Sequence, residues 1–243
     1  MKMTLRHIQN GKDTLCVYEA TPEKPSKSAI ILLPAIAGIN DYIKTRAMNL
    51  AEEGIHVFLL DYYSREEQAP DCSTPEAIGK AVAGLPDPRV LSDIQAIEKE
   101  LHANSQIDND KIGIMGFCIG GMYAFLAACE SSGFACAISY YGSLIYDQKS
   151  ENKPFAPMDR IEDLRAPVLT HFGTFDRLIS EQQMDDFEAA LRQAQKLYEC
   201  FRYRGAPHAF DEFFRAPVYR PTASANAWRN TLTFLHWHLH AQR

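Results

Sequence analysis

Cysteine is sparse in this chain and never sits at metal-ligand spacing: the six residues, at 16, 72, 118, 129, 136 and 200, form no CxxC pair. A chain of this length needs no disulfide scaffold, so they read as free thiols of a reducing cytoplasm. Positive charge is also short, 25 Lys and Arg against 31 Asp and Glu, for a net charge of −6. That excludes the basic stripe with which nucleic-acid binders neutralise phosphates, and no nucleic-acid partner is expected. Long apolar runs are missing. The longest, AIILLPAIAGI, is broken by Pro34 and Gly38, too short to span a bilayer, so no membrane partner is expected. Residues 1–13 lack the apolar core of a signal peptide. There is no internal repeat, low-complexity tract or linker. What is present is 243 residues, 46% hydrophobic and 23% charged, enough for one large domain over 1–243 with a substantial core.

The hydrophobic periods alternate between strand and helix. Strands are predicted at 14–20, at 28–34 (a continuous apolar run, as for a strand covered on both faces), at 55–61, 111–116, 134–142, 166–173 and 197–203. Helices are predicted at 41–53, stopped by Gly54, and at 90–103, with Leu91, Ile94, Ile97 and Leu101 on one face. Others are predicted from Cys118 to about Glu130, at 180–195 behind a Ser180–Gln183 capping box, and at 224–239. A polar loop rich in Pro, Asp and Ser runs to about Pro75, and a short helical piece is expected near RIEDL. Strands alternating with helices imply an α/β fold, with a mostly parallel central sheet and helices on both faces.

The stretch IGIMGFCIGGMYAF carries the chemistry. It places Cys118 between Gly116 and Gly120, where a strand ends and a helix begins. A sharp strand-to-helix turn forces its central residue into a strained backbone, and the flanking glycines remove Cβ atoms that would clash. The turn raises the side chain above the strand ends. It sets the helix N-terminus beneath it, where free N–H groups and the dipole favour a thiolate and can hold an oxyanion. The N–H of Ile119, next after the nucleophile, is one expected donor. A packed core thiol is the ordinary alternative for Cys118, and the other five cysteines read as core or surface residues. A thiol nucleophile needs a base and the base an orienting acid. Asp176, in GTFDRLIS, and His208, in RGAPHAF, each follow a predicted strand, where open α/β sheets collect functional groups. The order Cys, Asp, His is that of the α/β-hydrolase fold. Asp176 has a capping role as its alternative, and Glu181 and Asp185 are rivals for the acid. His171, inside a strand, reads as a core histidine. His236 and His240 share a helical face but have no acidic or cysteine companion, so no metal site is assigned. Tyr140 and Tyr141 end a strand beside the site, where one of them can line the pocket, with core packing as the equal alternative.

These residues resemble the dienelactone hydrolase family, the cysteine branch of the α/β-hydrolases. The matching pieces are AIAGIN, DYYSREEQAP, GIMGFCIGG, YYG, HFGTFD and GAPHAF, in the family's order through most of the chain. The resemblance implies Cys118 as nucleophile, His208 as base and Asp176 as its partner, with backbone N–H groups of Ile36 and Ile119 as the oxyanion hole. The candidate pocket residues are Ala35, Ala37, Tyr141, Phe210 and Glu212. Two positions depart from the family's enzymes for anionic lactones. Ala35 stands where they carry a glutamate that holds the resting thiol, and Glu212, four residues after His208, stands where they carry an arginine. A second family arginine has no clear counterpart, Lys80 and Arg89 being only loosely placed.

The reading is hydrolysis of an ester or lactone through a thioacyl-enzyme, with a preference for neutral substrates and no metal or organic cofactor. One alternative keeps the site and turns it on neutral aryl phosphotriesters. Another, of a different class, is a non-catalytic module that binds a small molecule. A cysteine peptidase is set aside because nothing in the sequence suggests an extended peptide groove. The partner is then a small-molecule ester, lactone or phosphotriester, and the chain is expected to be a monomer or homodimer.

Overall fold

The computed structural model describes residues 1–240. Its strands are β1 (Lys2–Asn10), β2 (Asp13–Thr21), β3 (Ala29–Leu33), β4 (His56–Leu60), β5 (Ile112–Phe117), β6 (Cys136–Tyr140), β7 (Val168–Gly173) and β8 (Tyr198–Tyr203). Its helices are α1 (Asp41–Glu52), α2 (Pro75–Gly84), α3 (Asp87–Ala103), α4 (Ile119–Glu130), α5 (Glu181–Gln193) and α6 (Pro221–Leu235). The strands form one sheet in the order β1-β2-β4-β3-β5-β6-β7-β8. β1 and β2, and β2 and β4, pair antiparallel, and the remaining pairs are parallel.

The central strands are buried throughout because helices cover both faces: every residue of β3, β5, β6 and β7 is buried. Their period of two divides the core. Ile31, Leu33, Phe58 and Leu60 join the cluster with α3, α4 and α5, while Ile30, Leu32, Val57 and Leu59 join the one with α1 and α6. α4 is apolar around its whole circumference and buried from Ile119 to Cys129, as expected of a helix enclosed by the sheet and its neighbours. Asn40 caps α1, its side-chain oxygen accepting the Ile43 N–H at 3.0 Å, and the Ser180–Gln183 capping box opens α5. No helix among the described residues is long and apolar enough to cross a membrane.

β1 and α2 were not expected. β1 lies at the sheet edge, mostly exposed or half-buried, so its side chains show no apolar alternation; the turn at Gly11, φ 61°, folds it back on β2. α2 has no fully buried residue, and α3 begins three residues earlier than its apolar stripe, at Asp87. The piece near RIEDL is a pair of single 3₁₀ turns, Pro157–Asp159 and Ile161–Asp163. The last helix starts at Pro221 and closes in a π-helical turn, His236–His240.

The strand order places the site. From β3 the chain winds outward to β4 on one side, and from β5 through β6 and β7 to β8 on the other. β3 and β5 are neighbours at the point where the winding reverses, and the loops at their carboxyl ends diverge to leave a crevice.

His171 in β7 is fully buried, its ring nitrogens bonded to the Tyr203 hydroxyl at 2.9 Å and the Thr231 hydroxyl at 3.0 Å. Burial holds its pKa down at about 3, against 6.5 for an exposed ring. Between these values the unfolded chain binds the proton and the folded chain does not. This stabilisation is therefore complete above about pH 6.5 and declines as the pH falls toward 3, by about 1.4 kcal/mol per pH unit for one proton. Urea unfolding between neutral pH and pH 5 should show this slope, and His171→Gln should flatten it; an equal slope in the variant would remove His171 from the account.

Candidate active site

Cys118 is the residue between β5 and α4, with φ 56° and ψ −123°. This left-handed backbone costs a non-glycine residue about 1–3 kcal/mol and persists only where packing enforces it. The enforcement is visible in the flanking glycines. A Cβ on Gly116 would stand 2.1 Å from the Gly120 carbonyl oxygen, and one on Gly120 would stand 2.5 Å from the carbonyl oxygens of Leu33 and Pro34. The Cys118 N–H donates to the Tyr140 carbonyl at 2.9 Å, and its own carbonyl accepts Gly121 and Met122 N–H in the first turn of α4. The thiol is partly exposed.

Ile119 is the first residue of α4, so its N–H has no partner within the helix. In register, Leu33 at the end of β3 lies opposite Gly116, which brings Pro34, Ala35 and Ile36 alongside the elbow. Ile36 sits in a tight turn, with Gly38 N–H donating to the Ala35 carbonyl at 2.9 Å. Two residues that the sequence reading did not single out hold this turn. The Tyr62 hydroxyl donates to the Pro34 carbonyl at 3.1 Å and the Tyr63 hydroxyl to the Ile36 carbonyl at 2.7 Å. Their signal was the paired tyrosine of DYYS directly after a buried strand.

The loops after β7 and β8 bring Asp176 and His208 together. His208 Nδ1 lies 2.8 Å from Asp176 Oδ2, and the carboxylate is fully buried. Its other oxygen accepts the N–H groups of Leu178 at 2.8 Å and Ile179 at 3.2 Å. The cap of α5 comes from Ser180, not from Asp176. The rivals lie elsewhere: Asp185 is paired with Arg202 at 2.5 Å, and Glu181 is an exposed residue in the first turn of α5. His208 Nε2 is buried and makes no hydrogen bond, yet the Cys118 sulfur is close enough for its charge to act on the ring. Burial opposes an imidazolium here. The charge on Cys118 and the Asp176 hydrogen bond outweigh it and push His208 up to about 10.

The pocket candidates divide. Ala35 is half-buried and Ala37 is exposed. Tyr141 is fully buried with φ 41°, its ring centroid 5.1 Å from that of His208, and its hydroxyl has no hydrogen-bond partner among the described residues. Phe210 is also fully buried, between Tyr141 at 5.4 Å and Tyr203 at 5.1 Å, so it backs the wall from behind and offers no surface. Glu212 is buried and paired with Arg215 at 2.8 Å. The negative charge that the sequence sets against anionic substrates is therefore compensated.

The chain is similar to known proteins over most of its length. The model of the dienelactone hydrolase family matches residues 15–239. A probable 2-oxo-3-(5-oxofuran-2-ylidene)propanoate lactonase of a Bradyrhizobium species is 42% identical over 96% of this chain and 93% of its own. The crystal structure of a Klebsiella pneumoniae protein assigned to the dienelactone hydrolases superposes with a TM-score of 0.88 at 26% identity, covering 97% of this chain and 99% of that one. The dienelactone hydrolase-like promiscuous phosphotriesterase P91, from metagenomic libraries, shares the fold with a TM-score of 0.79 at 19% identity, covering 98% of this chain and 99% of its own.

Proposed function

The chain belongs to the dienelactone hydrolase family, and from that premise we propose that it opens unsaturated lactones, and cleaves activated esters, through a thioacyl-enzyme on Cys118. The observation that supports this reading is the strained Cys118 at the N-terminus of α4, served by a His208 whose far nitrogen is fixed by a buried Asp176. Cys118 Sγ attacks the carbonyl carbon, and the carbonyl π electrons move onto oxygen. The N–H groups of Ile36 and Ile119 hold that oxyanion. Its collapse breaks the ring C–O bond, and the leaving oxygen takes the proton from His208. His208 then draws a proton from water, which attacks the thioester and releases the acid and the thiolate. An ylidene lactone suits a thiolate because its leaving group is an enolate, stabilised by conjugation, which departs without strong acid assistance.

The lactone named for the Bradyrhizobium relative carries a carboxylate. With Glu212 neutralised by Arg215, the preference for neutral substrates that Glu212 suggests becomes small. Glu212→Gln is expected to change the kcat/KM ratio between a carboxylate-bearing lactone and its methyl ester by less than about threefold. A gain of about tenfold on the anion alone would place an uncompensated Glu212 against substrate.

The function is tested with a p-nitrophenyl ester. A burst of p-nitrophenolate approaching one per chain, followed by steady turnover, is expected, together with a thioacyl mass adduct on Cys118. Binding without a burst would identify a non-catalytic module. Turnover of a neutral aryl phosphotriester in the same panel would extend the site to tetrahedral phosphorus.

A further inference from the structure

His208 lies in a segment, residues 204–220, without regular secondary structure, yet its ring must meet both Asp176 and Cys118. Upstream the segment is fixed to the loop after β7, because the Ala206 carbonyl accepts the Phe175 N–H at 2.9 Å and so ties the histidine loop to the residue before Asp176. Downstream, Ala209 has a left-handed backbone, φ 59°. Of four non-glycine residues with positive φ among the described residues, Cys118, Tyr141 and Ala209 belong to this site. The strain at Ala209 needs an opposing constraint.

That constraint is Asp211, three residues beyond His208 and fully buried. Its carboxylate accepts Arg46 Nε at 2.9 Å and Nη2 at 2.6 Å, the Ser224 hydroxyl at 2.6 Å, and the Tyr42 hydroxyl. Arg46 is itself buried, its guanidinium 4.5 Å from the Trp228 ring and 5.7 Å from the Tyr42 ring. Tyr42 stacks edge-on against Phe117, the residue before Cys118, at 5.5 Å. Asp211 thus ties the histidine loop to α1, to α6 and to the nucleophile's own strand. A planar fork onto a carboxylate fixes direction as well as distance.

We propose that Asp211, clamped by Arg46, Tyr42 and Ser224, is a positioning residue that holds His208 Nε2 toward Cys118. The upstream anchor sets the His208–Asp176 pair and Asp211 sets the reach of the ring to the sulfur. This role rests on the triad reading and adds to it a buried carboxylate that never touches substrate.

The test uses Asp211→Asn, Arg46→Lys and His208→Ala in the full chain. Asn keeps the size of the side chain and loses the charged acceptor, while Lys keeps the charge and loses the fork. Asp211→Asn is expected to lower kcat by about 10- to 30-fold, with KM changed less than about threefold. Alkylation of Cys118 by iodoacetamide should slow at neutral pH, and its rate should rise with pH as for an unassisted thiol. Arg46→Lys should fall between Asp211→Asn and wild type. A residue that only stabilised the fold would lower the melting temperature and leave the alkylation–pH profile of the folded protein unchanged. Folded Asp211→Asn with wild-type kcat and profile overturns the proposal; should that variant not fold, folded Arg46→Lys with wild-type values does so. If His208→Ala leaves alkylation unchanged, the triad itself fails. If His208→Ala alters the profile and Asp211→Asn does not, only the positioning role fails.

Discussion

Cys118→Ala is expected to lower kcat/KM for esters and lactones by at least about a thousandfold, because it removes the proposed nucleophile of the acyl intermediate. The fold should survive. Alanine keeps the Cβ at the elbow, so the packing of Gly116 against Gly120 and of Gly120 against Leu33 and Pro34 is unaltered, and the circular dichroism spectrum and melting temperature should stay close to wild type. The companion observation is labelling. Burial pushes the thiols of Cys129, Cys136 and Cys200 up to about 12, and burial also raises Cys16 and Cys72. Cys118 should therefore be alkylated first, and rapidly, at neutral pH without substrate. Its partner His208, raised to about 10 by the charge on Cys118 and the Asp176 hydrogen bond, should add to that rate, which His208→Ala should lower. Because Cys118 is partly exposed, the same reactivity should make the enzyme prone to inactivation by peroxide, through a sulfenic acid. Mass spectrometry that found another cysteine labelled first, with Cys118 inert, would remove the nucleophile assignment.

The second large effect is expected at Asp176. In Asp176→Asn the amide oxygen can still accept the N–H groups of Leu178 and Ile179, so the loop after β7 keeps its shape. The amide nitrogen then faces His208 Nδ1, where the carboxylate oxygen had been. Two donors cannot share that contact, so Nδ1 becomes the acceptor and the ring proton moves to Nε2. The neutral imidazole then holds its proton on Nε2, where it needs a lone pair to draw the proton from water in deacylation. Loss of the carboxylate also removes one of the influences that raise His208. A fall in kcat of about 10²- to 10⁴-fold follows, with the melting temperature little changed. Alkylation should slow in parallel, which separates loss of the ion pair from loss of substrate binding. Activity within threefold of wild type would return the acid's role to another carboxylate.

The pocket was less legible than the nucleophile, and Glu212 shows why. Four residues after His208 its charge is plain in the sequence, but Arg215 that neutralises it lies on the next turn of an irregular segment. Whether two side chains in a loop meet depends on backbone angles that no period encodes. Phe210 is similar: a candidate pocket residue in the sequence, it has its ring packed inward between two tyrosines.

By itself the sequence determined the α/β alternation, the elbow and the chain order of Cys118, Asp176 and His208. Those features are local: continuous apolar runs require strands covered on both faces, and a glycine-flanked residue between strand and helix requires a strained turn. The edge strand β1 escaped it because its side chains show no apolar alternation, and α2 because its stripe, Ile78, Ala81 and Val82, is short and only half-buried. Only the tertiary structure decided what fixes the histidine loop. Asp211 reads as one more charge in HAFDEFF, and Arg46 as one more in α1, 165 residues apart. Their union is set by the packing of α1 and α6 on one face of the sheet, where a buried carboxylate is stable only with its charge matched and its lone pairs filled. Contacts of that range carry no local signature, since each partner's pattern is complete without the other.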